Sequence, residues 1–191
     1  IQGGVVIEDK DGNQFVWVPV DTIDDYKRTS YSNNSLLPYA RCSETLPDDE
    51  KTSVETYKGF YIGRYEAGDK ESTEAKTLRS SNDVTETVTI KKGQAPYNYV
   101  TPGEAVSLAE GFAKQQKYSE NIKTYLVNSY AWDTAMEFIN KTVSGYSGSS
   151  PQGNYMNTKF EYIDITGKSQ STSGILIPTG LTTSVCNIYD M

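Results

Sequence analysis

The 191-residue chain contains no histidine, so the commonest metal ligand and the commonest general base near neutral pH are both missing. Any catalytic chemistry would fall to thiol, carboxylate, lysine or tyrosine. Cysteine is almost as scarce, with Cys42 and Cys186 the whole complement. The pair is compatible with one disulfide, with two free thiols, or with a thiol whose partner lies elsewhere; two cysteines make no disulfide framework. No run approaches the roughly 20 apolar residues that span a bilayer, so this segment is not expected to insert into a membrane. The opening IQGGVVIEDKDG lacks the basic and apolar regions of a signal peptide. An export or tethering segment is expected outside this chain. Lysine and arginine number 18 against 25 acidic residues, a net charge of -7 whose field repels phosphate backbones. Nucleic acid is therefore not an expected partner.

Apolar residues make up only 36%, yet aromatics reach 12% and include 15 tyrosines. Tyrosine supplies buried area with a polar tip, which suits a folded, β-rich and partly wet architecture rather than a disordered chain. The length fits one domain, 1–191. Polar insertions are expected near residues 21–55 and 67–83.

Val5-Val6-Ile7-Glu8 and the run FVWVPV at 15–20 flank DKDGN, where Asp11-Gly12 signals a two-residue hairpin turn. Residues 21–55, with YSNNS and LPDDEK, read as long surface loops. GFYIGRYE at 59–66 reads as a second strand region, and VTETVTIK at 84–91 alternates as an exposed or edge strand. VTPGE predicts a helix start: Thr101 caps, Pro102 takes the first helical position, and Glu104 reaches back to the cap. Ala105, Leu108, Ala109 and Phe112 then form a core stripe on a helix running to about Lys117. A second helix follows Asn128, with Trp132, Ala135, Met136 and Ile139 on one buried face. SGYSGSSPQG at 144–153 reads as a flexible loop. Residues 160–165 alternate as a strand before a turn at Thr166-Gly167, and 174–178 read as a last buried strand.

Other constellations carry less. Asp48-Asp49-Glu50 and Asp24-Asp25 are acidic but lack the alternating spacing of a calcium loop, and solvated charge runs explain them. The glycines of SGYSGSSPQG do not follow a strand and open a helix, which a phosphate loop requires. Lys91-Lys92 is too small a patch to override the acidic field.

In order along the chain, FVWVPV, GFYIGRYEAG, PYNYVTPGEAVSLAEGFAK, YLVNSYAWDTAMEFI and NIYDM resemble the formylglycine-generating-enzyme (sulfatase-modifying factor) family. The resemblance implies an α+β, C-type-lectin-like fold with two main helices around a small twisted antiparallel sheet and long loops. NIYDM resembles the start of that family's motif in which an Asn or Gly, a Tyr and an Asp lead into Gly-Asn-aromatic-Glu-Trp. The resemblance thus implies a further strand-rich segment beyond Met191, completing the sheet and supplying a calcium site. It also makes NIYDM an interrupted strand entry with an open sheet edge, suited to self-assembly by donor-strand pairing.

The family's enzymes use a pair of cysteines a few residues apart that binds copper, and a related branch uses an iron site with histidines. Cys42 and Cys186 match neither arrangement, so no catalytic or metal-binding residue is carried over. No cofactor is expected in this chain, calcium entering only with the downstream segment. The expectation is a non-catalytic extracellular or cell-surface binding or adhesion module of bacterial or phage type, contacting a protein or glycan. Its expected contact residues are Tyr26, Tyr31, Asn33, Asn34, Tyr39, Tyr146 and Tyr155, because tyrosine and asparagine in polar loops behave as adaptable paratope residues. The alternatives are the N-terminal portion of a cysteine-dependent oxidase, or a structural subunit of a pilus or surface fibre.

Overall fold

A computed structural model describes residues 3–28, 45–69, 88–143, 160–163, 168–172, 177–181 and 184–190. Within them the chain is α+β, with three α-helices and small antiparallel sheets. The centre is a three-stranded sheet of order β1-β2-β3, built from β1 (Val6–Glu8), β2 (Gln14–Pro19) and β3 (Gly59–Gly63). Val16 and Val18 on β2 are fully buried, as the period-two pattern of FVWVPV demands of a strand with one face on the core.

The expected hairpin joins β1 and β2, pairing Glu8 with Gln14, but its turn is longer than the two-residue type. Asp9 replaces the tight turn: its Oδ1 accepts from the backbone N–H groups of Asp11 and Asn13 at 2.9 and 2.8 Å. Gly12 takes a φ of +85° in that loop, a conformation that favours glycine. Asn13 is buried and ties the hairpin to the next sheet, its Oδ1 accepting from the Ile90 N–H at 2.8 Å. That sheet has order β5-β4-β6 and comprises β4 (Gly68–Asp69), β5 (Val88–Thr89) and β6 (Ala95–Pro96). Val88 and Thr89 do lie on an edge strand, but both are buried rather than solvent-facing. A third pair joins β7 (Phe160–Ile163) to β8 (Ser169–Thr172). β8 was not expected from the sequence, and the turn at 166–167 falls outside the described residues.

The polar stretch 21–55 is not all loop. It contains a 3-10 turn over Ile23–Asp25 and the helix α1 (Asp48–Tyr57). The reason it escapes a periodicity search is physical: Val54 is the one residue of α1 that is buried, so no apolar stripe marks the helix. What starts it is charge, since Asp48, Asp49 and Glu50 occupy the first turn, where the helix dipole favours carboxylates.

α2 (Pro102–Gln115) begins as the sequence predicts, with the Glu104 N–H donating to Thr101 Oγ1 and the Glu104 carboxylate accepting from the Thr101 N–H at 2.7 Å. Its stripe is only part core: Phe112 is buried, whereas Ala105, Leu108 and Ala109 are half-buried. α3 (Ser129–Thr142) starts at the Asn128 cap, whose side chain accepts from the Ala131 N–H at 2.9 Å. Ala135 and Ile139 are fully buried, but Trp132 is 38% exposed and Asp133 and Thr134 are buried in its place. The buried face of α3 is thus rotated from the one the apolar residues suggest.

Two apolar clusters hold these parts together. Val16, Ile139, Val185, Cys186 and Ile188 pack with Val6, Ile62, Met136 and Phe138. Val20, Tyr26, Val54 and Ala131 pack with Ile23, Leu46, Phe60 and Tyr130. Ile188 of NIYDM belongs to the first cluster. Cys186 and Asn187 have φ of +51° and +66°, positive values of the kind a tight hairpin turn requires at both central residues. Val185 and Ile188 pair across that turn through two 2.9 Å backbone bonds. The Tyr189 N–H then donates to the Arg64 carbonyl at 2.9 Å, and the Arg64 guanidinium lies over the Tyr189 ring. In the segment expected as an interrupted strand entry, Ile188 is core and Tyr189 is tied to the end of β3. Of the last strand expected at 174–178, Ile177 and Pro178 are described, and both are buried but in no strand.

Candidate functional site

In the acidic triplet at the start of α1, Asp48 and Asp49 are exposed, as a solvated run requires, but Asp49 and Glu50 also hold partners. Glu50 accepts from the Tyr26 hydroxyl and from Asn128 Nδ2, the latter bond measuring 2.9 Å to each carboxylate oxygen. Asn128 caps α3, so one side chain joins the cap of α3 to the first turn of α1. Asp49 faces the segment before the cap, accepting from Lys123 Nζ at 2.7 Å and from the Tyr125 hydroxyl at 2.8 Å. Hydrogen bonding to Lys123 and then to Tyr125 lowers the Asp49 carboxyl to about 2, and burial together with the Asp49 bond pushes the Tyr125 phenol up to about 12.

Thr124 turns the other way. Its hydroxyl donates to the Ala109 carbonyl at 2.6 Å and accepts from the Ala113 N–H at 3.1 Å, both on α2. Residues 122–127 are therefore pinned between two helices although they form neither helix nor strand. They nonetheless expose apolar side chains: Ile122 is 50% exposed, Tyr125 41%, and Leu126 and Val127 45% each. Beside them lies an open depression of about 510 Å³ lined by Glu110, Lys114, Lys117, Tyr118, Glu120 and Ile122 among others. Tyr118 is held there by its hydroxyl bond to Asp9. Burial pushes the Asp9 carboxyl up, but hydrogen bonds from Tyr118 and Asn13 more than offset this and hold it below the usual range. An apolar centre with a charged rim of both signs is the anatomy of a protein contact surface.

The fastening by Asp49 has a pH signature. Its carboxyl is depressed in the fold, so its stabilisation is complete above the unfolded value near 4 and is lost as pH falls toward the folded one. Thermal melts of the wild type and Asp49→Asn should differ at neutral pH and converge as pH is lowered from about 4 to about 2. A difference unchanged across that interval would show that the bonds to Lys123 and Tyr125 do not form.

Of the residues expected to contact a ligand, Tyr26 is described and is core. It is 3% exposed, its ring 5.3 Å from that of Phe60 and 6.1 Å from that of Tyr130. A tyrosine in a polar stretch here packs locally because α1 covers it. Tyr31, Asn33, Asn34, Tyr39, Tyr146 and Tyr155 lie outside the described residues, as does Cys42. Cys186 is a free, buried thiol, raised by burial in spite of a hydrogen bond with Thr142. Its burial makes it a packing residue rather than a nucleophile. Among the described residues no group of His, Cys, Asp or Glu is placed to hold a metal ion, and no helix is long and apolar enough to cross a membrane.

Ile122, Tyr125, Leu126 and Val127 were not singled out from sequence. The signal was present as NIKTYLVN between two helices, an apolar run too short for helical periodicity and without strand alternation.

The chain matches no protein-family model, no curated protein and no solved structure. The functional reading therefore rests on the geometry of this site and on the ordered sequence blocks described above.

Proposed function

We propose that the chain is a non-catalytic binding or adhesion module that works outside the cytoplasm on a C-type-lectin-like scaffold of the formylglycine-generating-enzyme type. One observation carries the reading: residues 122–127 present four exposed apolar side chains on a backbone already fixed by Asp49, Ala109 and Ala113. Leaving apolar area in water costs roughly 25 cal/mol per Å², and contiguous exposed apolar residues with a polar rim mark interaction sites. Fixing the segment beforehand also removes part of the ordering entropy from the binding step. The absence of histidine and of a close cysteine pair from the sequence favours binding over chemistry.

The partner is proposed to be a protein, because Ile122, Leu126 and Val127 offer a sugar few hydrogen bonds. Immobilised wild type and an Ile122→Ser, Leu126→Ser double variant, compared on cell-surface protein fractions and on a glycan array, test it. The double variant is expected to lose protein capture at least about tenfold, the effect of some 1.4 kcal/mol, with its melting temperature unchanged. Equal capture by both proteins, or retention on glycans alone, would overturn the proposal.

A further inference from the structure

Of the three described helices, α1 is the least secured. Its 10 residues fall short of the roughly 12–15 that hold a helix in isolation, so it depends on what it docks against. It buries Val54 alone, whereas α3 buries Ala131, Asp133, Thr134, Ala135 and Ile139. Thr101 and Asn128 cap α2 and α3 with their side chains, but Pro47 at the head of α1 gives no such bond. At the other end Lys58 takes a φ of +62°, a left-handed position that favours glycine. The Lys58 carbonyl accepts from the Val20 N–H at 2.9 Å, so that end is fixed to the sheet. Two adjacent carboxylates make the remaining attachments: Glu50 holds Tyr26 and Asn128, and Asp49 holds Lys123 and Tyr125.

From this we propose that α1 is a clasp on residues 122–127. It lets go as a unit about Lys58 while the sheet, α2 and α3 stay folded. Its release leaves Thr124, bonded to Ala109 and Ala113 of α2, as the segment's side-chain hold. The division of the core makes this separation possible. Val54 packs with Val20, Tyr26 and Ala131, whereas Ile139 packs in the other cluster with Val16, Val185 and Ile188. Opening at α1 therefore loosens the first cluster and leaves the second intact. Elements with few buried apolar contacts are the ones that open locally, below the free energy of global unfolding. The inference concerns the fold and needs no partner.

Native-state hydrogen exchange read by mass spectrometry, together with mapped trypsin cleavage of the full chain, tests it. Amides at 51–58 should exchange at least about tenfold faster than those at 135–139. Val54→Ala should speed exchange at 51–58 at least about fivefold. Cleavage after Lys123 should rise by the same factor, because slow proteolysis tracks the population of the open form. Ile139→Val trims a core that the closed and open forms share. It should speed exchange at 135–139 roughly two- to tenfold and leave exchange at 51–58 and cleavage after Lys123 unchanged. Should Val54→Ala fail to fold, Glu50→Gln gives the same readouts, since the bonds of Glu50 go to Tyr26 and Asn128 rather than to residues 122–127. Equal exchange in α1 and α3, or acceleration of α1 by Ile139→Val, would mean that the chain opens only as a whole. Cleavage after Lys123 that does not respond to loosening of α1 would mean that α1 does not hold the segment. Each of these results overturns the inference, and none involves a partner, so the binding function proposed above is tested separately.

Discussion

Gly59→Ala is expected to lower the melting temperature by roughly 6–12 °C, the effect of a net cost of about 3 kcal/mol at about 2–4 °C per kcal/mol for a chain of this size. Gly59 opens β3 directly after Lys58, the left-handed cap of α1, and itself has a φ of +156°. That backbone geometry is strained for a residue with a side chain, at a cost on the order of 1–3 kcal/mol. A β-carbon there would also collide with the indole of Trp17 and with the Val18 carbonyl. The carbonyl cannot yield, because Val18 pairs with Phe60 in the central sheet, so overpacking adds about 1–3 kcal/mol more. The reduced freedom of the unfolded chain offsets at most about 1 kcal/mol. Gly111→Ala is the matched control. It sits in α2 with nothing within 4 Å of the added carbon and should stabilise by about 0.5–1 kcal/mol. Paired thermal melts check both signs, and an unchanged melting temperature for Gly59→Ala would contradict the turn from α1 into β3.

The second large effect separates two residues that the sequence places on one helical face. Ile139→Ala is expected to cost about 2–5 kcal/mol, since removing a fully buried side chain leaves a cavity in a packed core. Ile139 is 0% exposed and lies between Val16 of the sheet and the Val185-Ile188 turn. Trp132→Ala should cost less than Ile139→Ala per atom removed, because the Trp132 ring is 38% exposed and its truncation opens a dent that water can fill rather than an enclosed cavity. Urea denaturation of both variants reads the difference. A cost per atom at Trp132 equal to that at Ile139 would mean that α3 buries the face its apolar residues suggest rather than the one containing Asp133 and Thr134.

The parts of the fold legible in the sequence share one property, namely that each is specified within a few residues. The Thr101-Pro102-Glu104 start of α2 and the Asn128 cap of α3 are closed by bonds over three residues. The hairpin of β1 and β2 is marked by alternating apolar residues around a glycine. α1 was illegible because its one buried residue forms no stripe. The candidate site was illegible for a different reason: nothing in KTYLV shows whether those side chains face the core or solvent. That depends on Asp49, 74 positions from Lys123 and 76 from Tyr125.

By itself the sequence determined an acidic, histidine-free, α+β chain with two capped helices and a hairpin entry, because composition and local hydrogen bonding do not depend on what packs against them. The tertiary structure alone decided where the polar residues went. It buried Tyr26 beneath α1, joined Glu50 to the cap of α3 and Asp49 to Lys123 and Tyr125, and drew Ile188 of NIYDM into the core. Long-range packing also decided which apolar residues stay in water. Ile122, Leu126 and Val127 resemble core residues in the sequence, but the bonds of Thr124, Lys123 and Tyr125 hold their backbone across the surface, where they remain 45–50% exposed.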